Sequence, residues 1–342
     1  MMNETTKYGV PGEKAERQIG FFLVSSFTML PFVSAVEPLR VANRLSGRAL
    51  YSWHLFTIDG EPATASNGMT QAVDAGIEAV QRFPTMIVCG PHEPSVYDGK
   101  KVFAWLRRLA RHGTQVGALD TGSYLLARAG LLNGYRCTIH WENLAGFVEE
   151  FPNLQVSTAL FEFDRDRFTC AGGTAALDMM LHLIAHQHGR RLASAVAEGF
   201  IHDIIRPAGD PQRMDLRSRI GVTHPKLLSC IALMEANLEQ PLLRTELAAA
   251  VGLSKRQLER LFRRYLETTP SRYYMELRLQ KSRRLLEQTS LPIIEVALAC
   301  GFSSPGYFSH RYRELFGVSP REERSNEQRV VAIRSEMSQR QK

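Results

Sequence analysis

The sequence predicts an α/β part, with a mostly parallel sheet covered by helices, followed by an all-α part with two helix-turn-helix units. Over the first two hundred residues, short apolar runs alternate with helical patterns, as in chains that build parallel sheets. In the last hundred residues, one helical motif occurs twice, 49 positions apart. With 342 residues, of which 44% are apolar, the chain is long enough to form two hydrophobic cores.

Apolar runs and helical periodicity locate the elements of the first part. Buried strands are predicted at residues 19–24, 53–58, 85–89 and 116–119, with helices near 33–44 and 102–112. Short strands follow at 154–158, 160–163 and 168–170, and then helices over 174–188 and 192–205. The helix over 174–188 is apolar around much of its circumference, so it is core or a dimer face, and we prefer core.

These patterns divide the chain into four segments. Residues 19–205 form the first domain, and residues 225–323 form the second. Residues 206–224, which contain Pro207 and Pro211, are the predicted linker, which could be partly helical or packed. The tail over residues 324–342 is rich in Arg, Gln, Ser and Glu, and we expect it to be mobile.

The repeated motif has the features of a helix-turn-helix. Residues 247–254 (LAAAVGLS) recur as residues 296–303 (VALACGFS), and each copy precedes another helical pattern. We expect the two glycines to adopt the positive φ of the turn and the two serines to cap the following helix. These residues are Gly252, Gly301, Ser254 and Ser303. Pro270 also recurs, as Pro320, but 50 positions later.

The helix after each turn has an apolar face and a polar face. The expected inward stripes are Leu258, Leu261, Phe262 and Tyr265 in the first unit, and Tyr307, Phe308 and Tyr312 in the second. The DNA-binding candidates are Ser254, Lys255, Arg256, Gln257, Arg260, Arg263, Arg264, Ser303, Ser304, Tyr307, His310 and Arg311. Arg and Gln side chains can pair bidentately with guanine and adenine.

Net charge agrees with DNA as a partner. Residues 225–323 contain fifteen Lys and Arg against eleven Asp and Glu, an excess of four in 99 residues. The whole chain has a net charge of +7, so the other 243 residues contribute only three. The basic excess is therefore denser around the helix pairs, as neutralisation of phosphates requires.

The second domain resembles the DNA-binding domain of AraC-type transcription regulators. The resemblance rests on residues 254–262 (SKRQLERLF) and 301–309 (GFSSPGYFS). It implies seven helices, one of which lies within residues 270–287 and joins the two units, and it implies double-stranded DNA and RNA polymerase as partners. One helix of each unit would then enter successive major-groove segments, about 34 Å apart.

In the first domain, residues 117–127 (GALDTGSYLLA) read as an apolar strand that ends at Asp120 and passes directly into a helix. Such an elbow projects one side chain over the carboxyl edge of the sheet. With residues 127–135 and 138–142, it resembles the class I glutamine amidotransferase-like domain, of flavodoxin-like fold, that is found fused to AraC-type domains. Related hydrolases carry a nucleophilic cysteine at this elbow, with a histidine beside it.

This chain has Asp120 at the position of that cysteine, followed by Thr121. A carboxylate cannot replace the activated thiolate, so we expect no catalytic residue, no cofactor and no metal. What remains is a binding site for a small molecule. The ligand-binding candidates are Asp120, Thr121, Glu37, Gly90, Pro91, His140, Trp141 and Glu142.

The role of Glu37 is implied by the resemblance, in which a glutamate points toward the elbow. Glu37 could instead be a solvated helix residue, His140 could satisfy a buried carbonyl, and Trp141 could be core. A buried carboxylate is costly unless a cation or several donors meet it, so Asp120 favours a cationic ligand. Trp141 further suggests a quaternary ammonium group held by an aromatic face.

Residues 34–43 (SAVEPLRVAN) and 65–69 (ASNGM), with Asp at the elbow, resemble regulators of carnitine, glycine betaine and related amine catabolism. This resemblance makes carnitine the first candidate ligand, and we expect the protein to be a homodimer and an activator. Arginine or another amino acid would satisfy the same acidic site. Two other classes stay open: an amidase-like or glyoxalase-like enzyme with a DNA-binding tail, and an architectural protein or repressor that needs no ligand.

Cysteine usage and hydropathy indicate where the chain acts. The five cysteines have no paired spacing, which predicts neither disulfides nor a zinc site. Residues 1–18 are polar and lack the pattern of a secretory signal, and no run of eighteen apolar residues occurs. We therefore expect a cytoplasmic protein.

Overall fold

The structure is a computed structural model that describes residues 16–94, 97 and 99–325, so most of the predicted mobile tail lies outside the described residues. The described chain divides into two compact units. The first contains residues 16–92, 99–140 and 154–210, and the second contains residues 93–94, 97, 141–153 and 211–325. Residues 141–153 thus pack with the second unit, although they lie inside the predicted first domain. The domain boundaries themselves stay predictions.

A seven-stranded sheet forms the centre of the first unit. Its strands are β1 (Arg17–Leu23), β2 (Tyr51–Thr57), β5 (Ala75–Gly76), β6 (Thr85–Cys89), β7 (Gln115–Leu119), β10 (Phe161–Asp164) and β11 (Arg167–Cys170). They are arranged in the order β10-β11-β7-β6-β1-β2-β5, and only the β10–β11 pair is antiparallel. The predicted mostly parallel sheet is therefore confirmed.

Four short strands lie outside this sheet. They are β3 (Ala63–Thr64) paired with β4 (Thr70–Gln71), and β8 (Arg136–Cys137) paired with β9 (Gln155–Val156). The strand predicted at residues 154–158 is thus only two residues long and is not part of the main sheet. A 3₁₀ turn at Ile77–Ala79 follows β5.

Helices cover the sheet, and one of them decides an open interpretation. The helices of the first unit are α1 (Met29–Ser46), α2 (Lys100–Arg111), α3 (Gly122–Arg128), α5 (Ala175–His188) and α6 (Arg190–Gly199). Met179, Met180, Leu181 and Ile184 of α5 are fully buried in the main core. The core interpretation of the helix predicted at 174–188 therefore holds.

The last helix of the first unit ends at Gly199, six residues before the predicted end. Beyond this end, the fully buried carboxylate of Asp178 accepts hydrogen bonds from the Arg206 backbone N–H and from its Nε. His202 Nε2 lies 2.8 Å from the same carboxylate. The helix is interrupted by the positive φ of Ile201, +56°, and these bonds hold His202 and Arg206 against α5.

The second unit is helical. Its helices are α4 (Leu144–Glu150), α7 (Leu216–Ile220), α8 (Pro225–Ala236), α9 (Arg244–Ala250), α10 (Lys255–Leu266), α11 (Pro270–Gln288), α12 (Ile293–Ala299) and α13 (Pro305–Phe316), and residues 320–325 are helical as well. No described helix is long and apolar enough to cross a membrane.

Two hydrophobic cores, one for each helix-turn-helix, meet at α11. Tyr274, in its first half, is buried in the core formed with α8, α9 and α10. Leu285 and Leu286, in its second half, are buried with α12 and α13. The helix predicted to join the two helix-turn-helix units is therefore present. The predicted linker is partly helical and packed, since Leu216 of α7 and Val222 contact the first of these cores.

Candidate functional site

The elbow at the end of β7 has the geometry that the sequence predicts. Asp120 follows the strand with φ +57°, and α3 begins two residues later, at Gly122. Its backbone N–H donates a 2.9 Å hydrogen bond to the Cys170 carbonyl oxygen, at the end of the neighbouring strand β11. Asp tolerates this left-handed conformation better than most residues. The turn places a carboxylate that is only 8% exposed at the carboxyl edge of the sheet.

Two glycines allow the neighbouring strand ends to approach the elbow closely. A Cβ atom on Gly90 would lie 2.2 Å from the Gly122 nitrogen, and one on Gly172 would lie 2.8 Å from the Asp120 Cβ. The Thr121 hydroxyl donates a 2.6 Å hydrogen bond to the Pro91 carbonyl oxygen. The structure thus brings together Asp120, Thr121, Gly90 and Pro91.

Two buried thiols flank the elbow carboxylate. Cys89 ends β6 and Cys170 ends β11, and both are free. Burial, together with the charge of Asp120, raises the pKa of the Cys89 thiol. Burial also raises the pKa of Cys170, to about 12, and Asp120 adds to the effect. Both thiols are therefore protonated near neutral pH, which is the opposite of what a cysteine nucleophile requires.

Glu37, in the middle of α1, is paired locally. Its half-buried carboxylate accepts hydrogen bonds from Nε and Nη2 of Arg40, one turn further along the helix, at 2.6 to 3.0 Å. The pair lies at the surface, in the manner of the solvated helix residue that we considered as the alternative. The role of Glu37 at a ligand site stays a prediction.

Three of the ligand-binding candidates, His140, Trp141 and Glu142, are divided between the two units. His140 ends a segment of the first unit, whereas Trp141 and Glu142 belong to the second. The centre of the Trp141 ring lies 4.6 Å from the Arg213 guanidinium carbon and 5.6 Å from that of Arg284. Trp141 therefore has two arginine partners within the second unit, which the sequence did not indicate.

Both helix-turn-helix turns are formed at the predicted glycines. Gly252 and Gly301 have φ of +61° and +73°. Ser254 caps α10 as predicted: its hydroxyl accepts from the Gln257 backbone N–H, and the Gln257 side chain accepts from the Ser254 N–H. This reciprocal pair is a capping box.

In the second helix-turn-helix, the residue that caps α13 is Ser304, so the prediction that Ser303 caps this helix is wrong. The Ser304 hydroxyl accepts from the Tyr307 backbone N–H at 3.3 Å. The turn of the second helix-turn-helix is one residue longer than that of the first. Equivalent residues of the two motifs are therefore 49 positions apart before the turn and 50 positions apart after it. Leu258 then matches Phe308, in the same spacing as Pro270 and Pro320.

Two of the predicted stripe residues face outward. Tyr265 is 39% exposed and Tyr307 is 45% exposed, so their place in the inward stripes is corrected. Leu266 of the first helix-turn-helix and Phe316 of the second pack against their cores instead. Tyr307 stays a DNA-binding candidate on the exposed side of α13.

The sequence matches the Helix-turn-helix domain family over residues 247–326 and the DJ-1/PfpI family over residues 23–186. The HTH-type transcriptional regulator GbdR of Pseudomonas aeruginosa is 50% identical over 320 residues, which cover 93% of this chain and 87% of GbdR. The HTH-type transcriptional regulator CdhR of Pseudomonas aeruginosa is 48% identical over 305 residues, which cover 89% of this chain and 90% of CdhR. The chain belongs to the AraC-type transcription regulators with a DJ-1/PfpI domain.

A solved structure agrees with this family. The crystal structure of an AraC family transcriptional regulator from Pseudomonas putida superposes with a TM-score of 0.50 at 29% identity, covering 54% of this chain and all but 1% of its own. As an AraC-type regulator, the chain binds DNA through its second unit.

The DNA-binding candidates of this AraC-type regulator lie on the outer side of the two helices after the turns. Except for the partly buried Arg311, all of them are exposed. Arg256 and Arg260 have no ion pair with any described residue, whereas Arg263 pairs with Glu259. Arg311 pairs with Glu314 at 2.6 Å. Arg256 and Arg260 therefore have less competition for an external acceptor than Arg263 and Arg311.

Sequence reasoning missed several residues that support the elbow of the DJ-1/PfpI domain. Gly172 presses against Asp120, and the fully buried Ser123 donates a hydrogen bond to the Thr138 carbonyl oxygen at 2.8 Å. The paired glycines at 172 and 173, directly after an apolar strand, are the sequence signal of this close approach. Nothing local in the sequence marks Ser123.

Proposed function

We propose that this AraC-type protein is a ligand-responsive regulator in which Asp120 binds the positively charged group of a small metabolite. One observation supports this above the others: a carboxylate occupies a nearly closed elbow at the carboxyl edge of the sheet. Burying a charge there is costly unless an opposite charge or several donors compensate. A cationic ligand would add an opposite charge to the interactions that the carboxylate already makes, and a ligand that binds one state of the protein more tightly shifts the protein toward that state.

We also propose that the first unit catalyses no reaction. An amidase of this fold needs an activated thiolate at the elbow, and position 120 has no sulfur. The neighbouring Cys89 and Cys170 are no substitute, because burial and the Asp120 charge raise the pKa of both thiols. The amidase-like alternative would be favoured only if the purified protein released ammonia from an amide substrate.

The ligand class follows from the charge. We propose carnitine first and glycine betaine second, since both carry a trimethylammonium group, with arginine or another amino acid as the alternative. Because Arg213 and Arg284 already lie against Trp141, the proposal assigns cation recognition to Asp120 and not to that ring. Gly90, Pro91 and Thr121 would shape the site beside the carboxylate.

The assembly and place of action complete the proposal. A homodimer would present two pairs of helix-turn-helix units to paired half-sites on DNA, in the cytoplasm, and would activate transcription by contact with RNA polymerase. Within one protomer, α11 sets the distance between the two helix-turn-helix units. A change in the position of α11 would therefore change which DNA sites both units can reach.

A thermal-shift screen of the full chain tests the ligand proposal. We expect L-carnitine, glycine betaine or L-arginine, but not their uncharged or anionic analogues, to raise the unfolding temperature of the first unit. A ligand-independent architectural protein would show no shift with any of these compounds. A shift with acidic metabolites alone would contradict the proposed role of Asp120.

A further inference from the structure

One stretch of the chain leaves the first unit, belongs to the second unit and then returns to the first. β8 and β9 pair side by side in the first unit, and the Ser157 N–H donates to the Cys137 carbonyl oxygen at 2.8 Å. Between these strands, the chain passes into the second unit at Trp141 and returns after Asn153. We call residues 141–153 the bridging segment. The strands that flank it, β8 and β9, are paired through their backbones, so the points where the chain leaves and re-enters the first unit lie close together.

The chain just before the bridging segment is hydrogen-bonded to the elbow helix α3. The Ser123 hydroxyl, in the first turn of α3, donates a 2.8 Å hydrogen bond to the Thr138 carbonyl oxygen. The Thr138 N–H donates to the Thr169 hydroxyl on β11, also at 2.8 Å. All three side chains are buried. Ser123 is only three residues from Asp120, and Thr138 is three residues from Trp141, so a shift of the elbow helix displaces the entry to the bridging segment.

The bridging segment is held in the second unit by contacts to α11 and the core beside it. Trp141 lies against Arg213 and against Arg284, which is on α11. Ala145 of α4 packs against the core of the second helix-turn-helix. Burial lowers the pKa of both arginines, and the charges of Arg219 and Arg284 lower the pKa of Arg213 further. Two like charges that repel each other thus share one aromatic ring.

We propose that the bridging segment transmits the state of the elbow to α11, with Trp141 and its arginine partners as the contact that engages or releases. The inference rests on the proposed function for its biological trigger, but the transmission itself does not require a ligand. Because α11 is part of both helix-turn-helix cores, a change in how Trp141 holds Arg284 changes the spacing of the two DNA-binding units. Trp141 is therefore a positioning residue, which acts on DNA binding through α11.

Hydrogen exchange of the ligand-free full chain, followed by mass spectrometry, tests the transmission. Ser123→Ala removes the hydroxyl that holds Thr138, and we expect at least threefold faster exchange in residues 144–150 and 278–288. Thr57→Ala is the matched control, because it removes another buried hydroxyl that donates to a carbonyl oxygen, that of Glu61. It should leave exchange in both segments unchanged.

Variants at Trp141 locate the contact. In a Trp141→Ala background, Ser123→Ala should have no further effect on residues 278–288, whereas Trp141→Phe should restore the response because it keeps an aromatic face. Effects of Ser123→Ala that stay the same in the Trp141→Ala background would overturn the inference. So would a Ser123→Ala variant with wild-type exchange in residues 278–288.

A second arm with 10 mM glycine betaine or L-carnitine, about tenfold above a weak millimolar Kd, separates this inference from the ligand proposal. Slower exchange in residues 117–128 reports binding at the elbow, and a change in residues 278–288 reports transmission. Binding without a change at 278–288 in the wild type would contradict the inference alone. If neither compound protects 117–128, their choice as ligands is contradicted, and the ligand-free comparison still decides the inference.

Discussion

The Thr121 hydroxyl donates its hydrogen bond to the Pro91 carbonyl oxygen across two strand ends, at 2.6 Å. This bond connects the first turn of the elbow helix to the turn after β6. Both residues were predicted to lie at the ligand site from sequence alone, and the structure shows them holding each other. The bond therefore ties the elbow to the turn after β6 on one side of the candidate site.

Gly90→Ala should destabilise the first unit by about 3 kcal/mol, because the added methyl group would collide with the elbow backbone. Gly209→Ala is the control, since nothing lies within 4 Å of its Cβ position and its φ is not positive. We expect that control to change the free energy of unfolding by less than about 1 kcal/mol. Urea denaturation measures both, and equal effects of the two changes would argue against the tight packing at Gly90.

Ser304→Ala should cost about 1 kcal/mol of stability, because the first turn of α13 loses its side-chain cap. Ser303→Ala, one residue earlier, should cost only a few tenths. The two variants differ by a single position, so the comparison tests the longer second turn directly. Greater sensitivity at Ser303 would restore the 49-residue equivalence that the sequence suggested.

The serine error shows where sequence patterns stop being informative. Ser303 and Ser304 can both cap a helix, so an insertion of one residue leaves the pattern almost unchanged, and only the backbone decides. Long elements were predictable for the opposite reason: apolar runs such as residues 85–89 and 116–119 have no alternative to burial. The two-residue strands β3, β4 and β5 contain no such run, and they were missed.

The candidate site was predictable only in part. The change from strand to helix at Asp120 occurs within a few consecutive residues, so the sequence alone was enough to locate the elbow. Gly172 reaches it from β11, 52 positions later, through a strand order that no local pattern encodes. The partners of Trp141, Arg213 and Arg284, are similarly distant in sequence. Residues 141–153 cluster with the second unit although they lie inside the predicted first domain, because their contacts are to residues distant in sequence.

The buried thiol of Cys170 should make the protein less stable in alkali. Its pKa is raised from 9.0 to about 12 in the folded chain, mainly by burial. Between these values the unfolded chain loses the proton and the folded chain keeps it, so the free energy of unfolding falls as pH rises. The slope per thiol is at most about 1.4 kcal/mol per pH unit.

Cys170→Ala isolates this contribution. Urea denaturation at pH 8, 9 and 10 should give a steeper loss of stability for the wild type than for the variant, whatever the constant offset between them. Parallel pH profiles would mean that the Cys170 thiol ionises as readily in the folded chain as in the unfolded one.

Arg256 and Arg264 should affect DNA binding differently. Arg256, in the first turn of α10, has no ion pair among the described residues and is placed where recognition helices meet base edges. We expect Arg256→Ala to weaken binding to a selected DNA site by about 1–3 kcal/mol and to relax specificity at one base pair. Arg264→Ala, in the last turn, should weaken binding to all sequences and reduce the salt dependence by about one unit.

Fluorescence anisotropy with selected and scrambled duplexes, at several salt concentrations, separates the two effects. The pattern would be contradicted if Arg256→Ala weakened binding to both duplexes equally.

The central claim is that the elbow carboxylate binds a cation, and calorimetric titration of the full chain with L-carnitine and glycine betaine measures it most directly. Asp120→Asn removes the charge but keeps the shape and tolerates the positive φ. We predict saturable binding to the wild type and at least a tenfold weaker affinity in the variant, with DNA binding by α10 and α13 preserved. Equal affinity of the wild type and Asp120→Asn for a cationic metabolite would contradict the account.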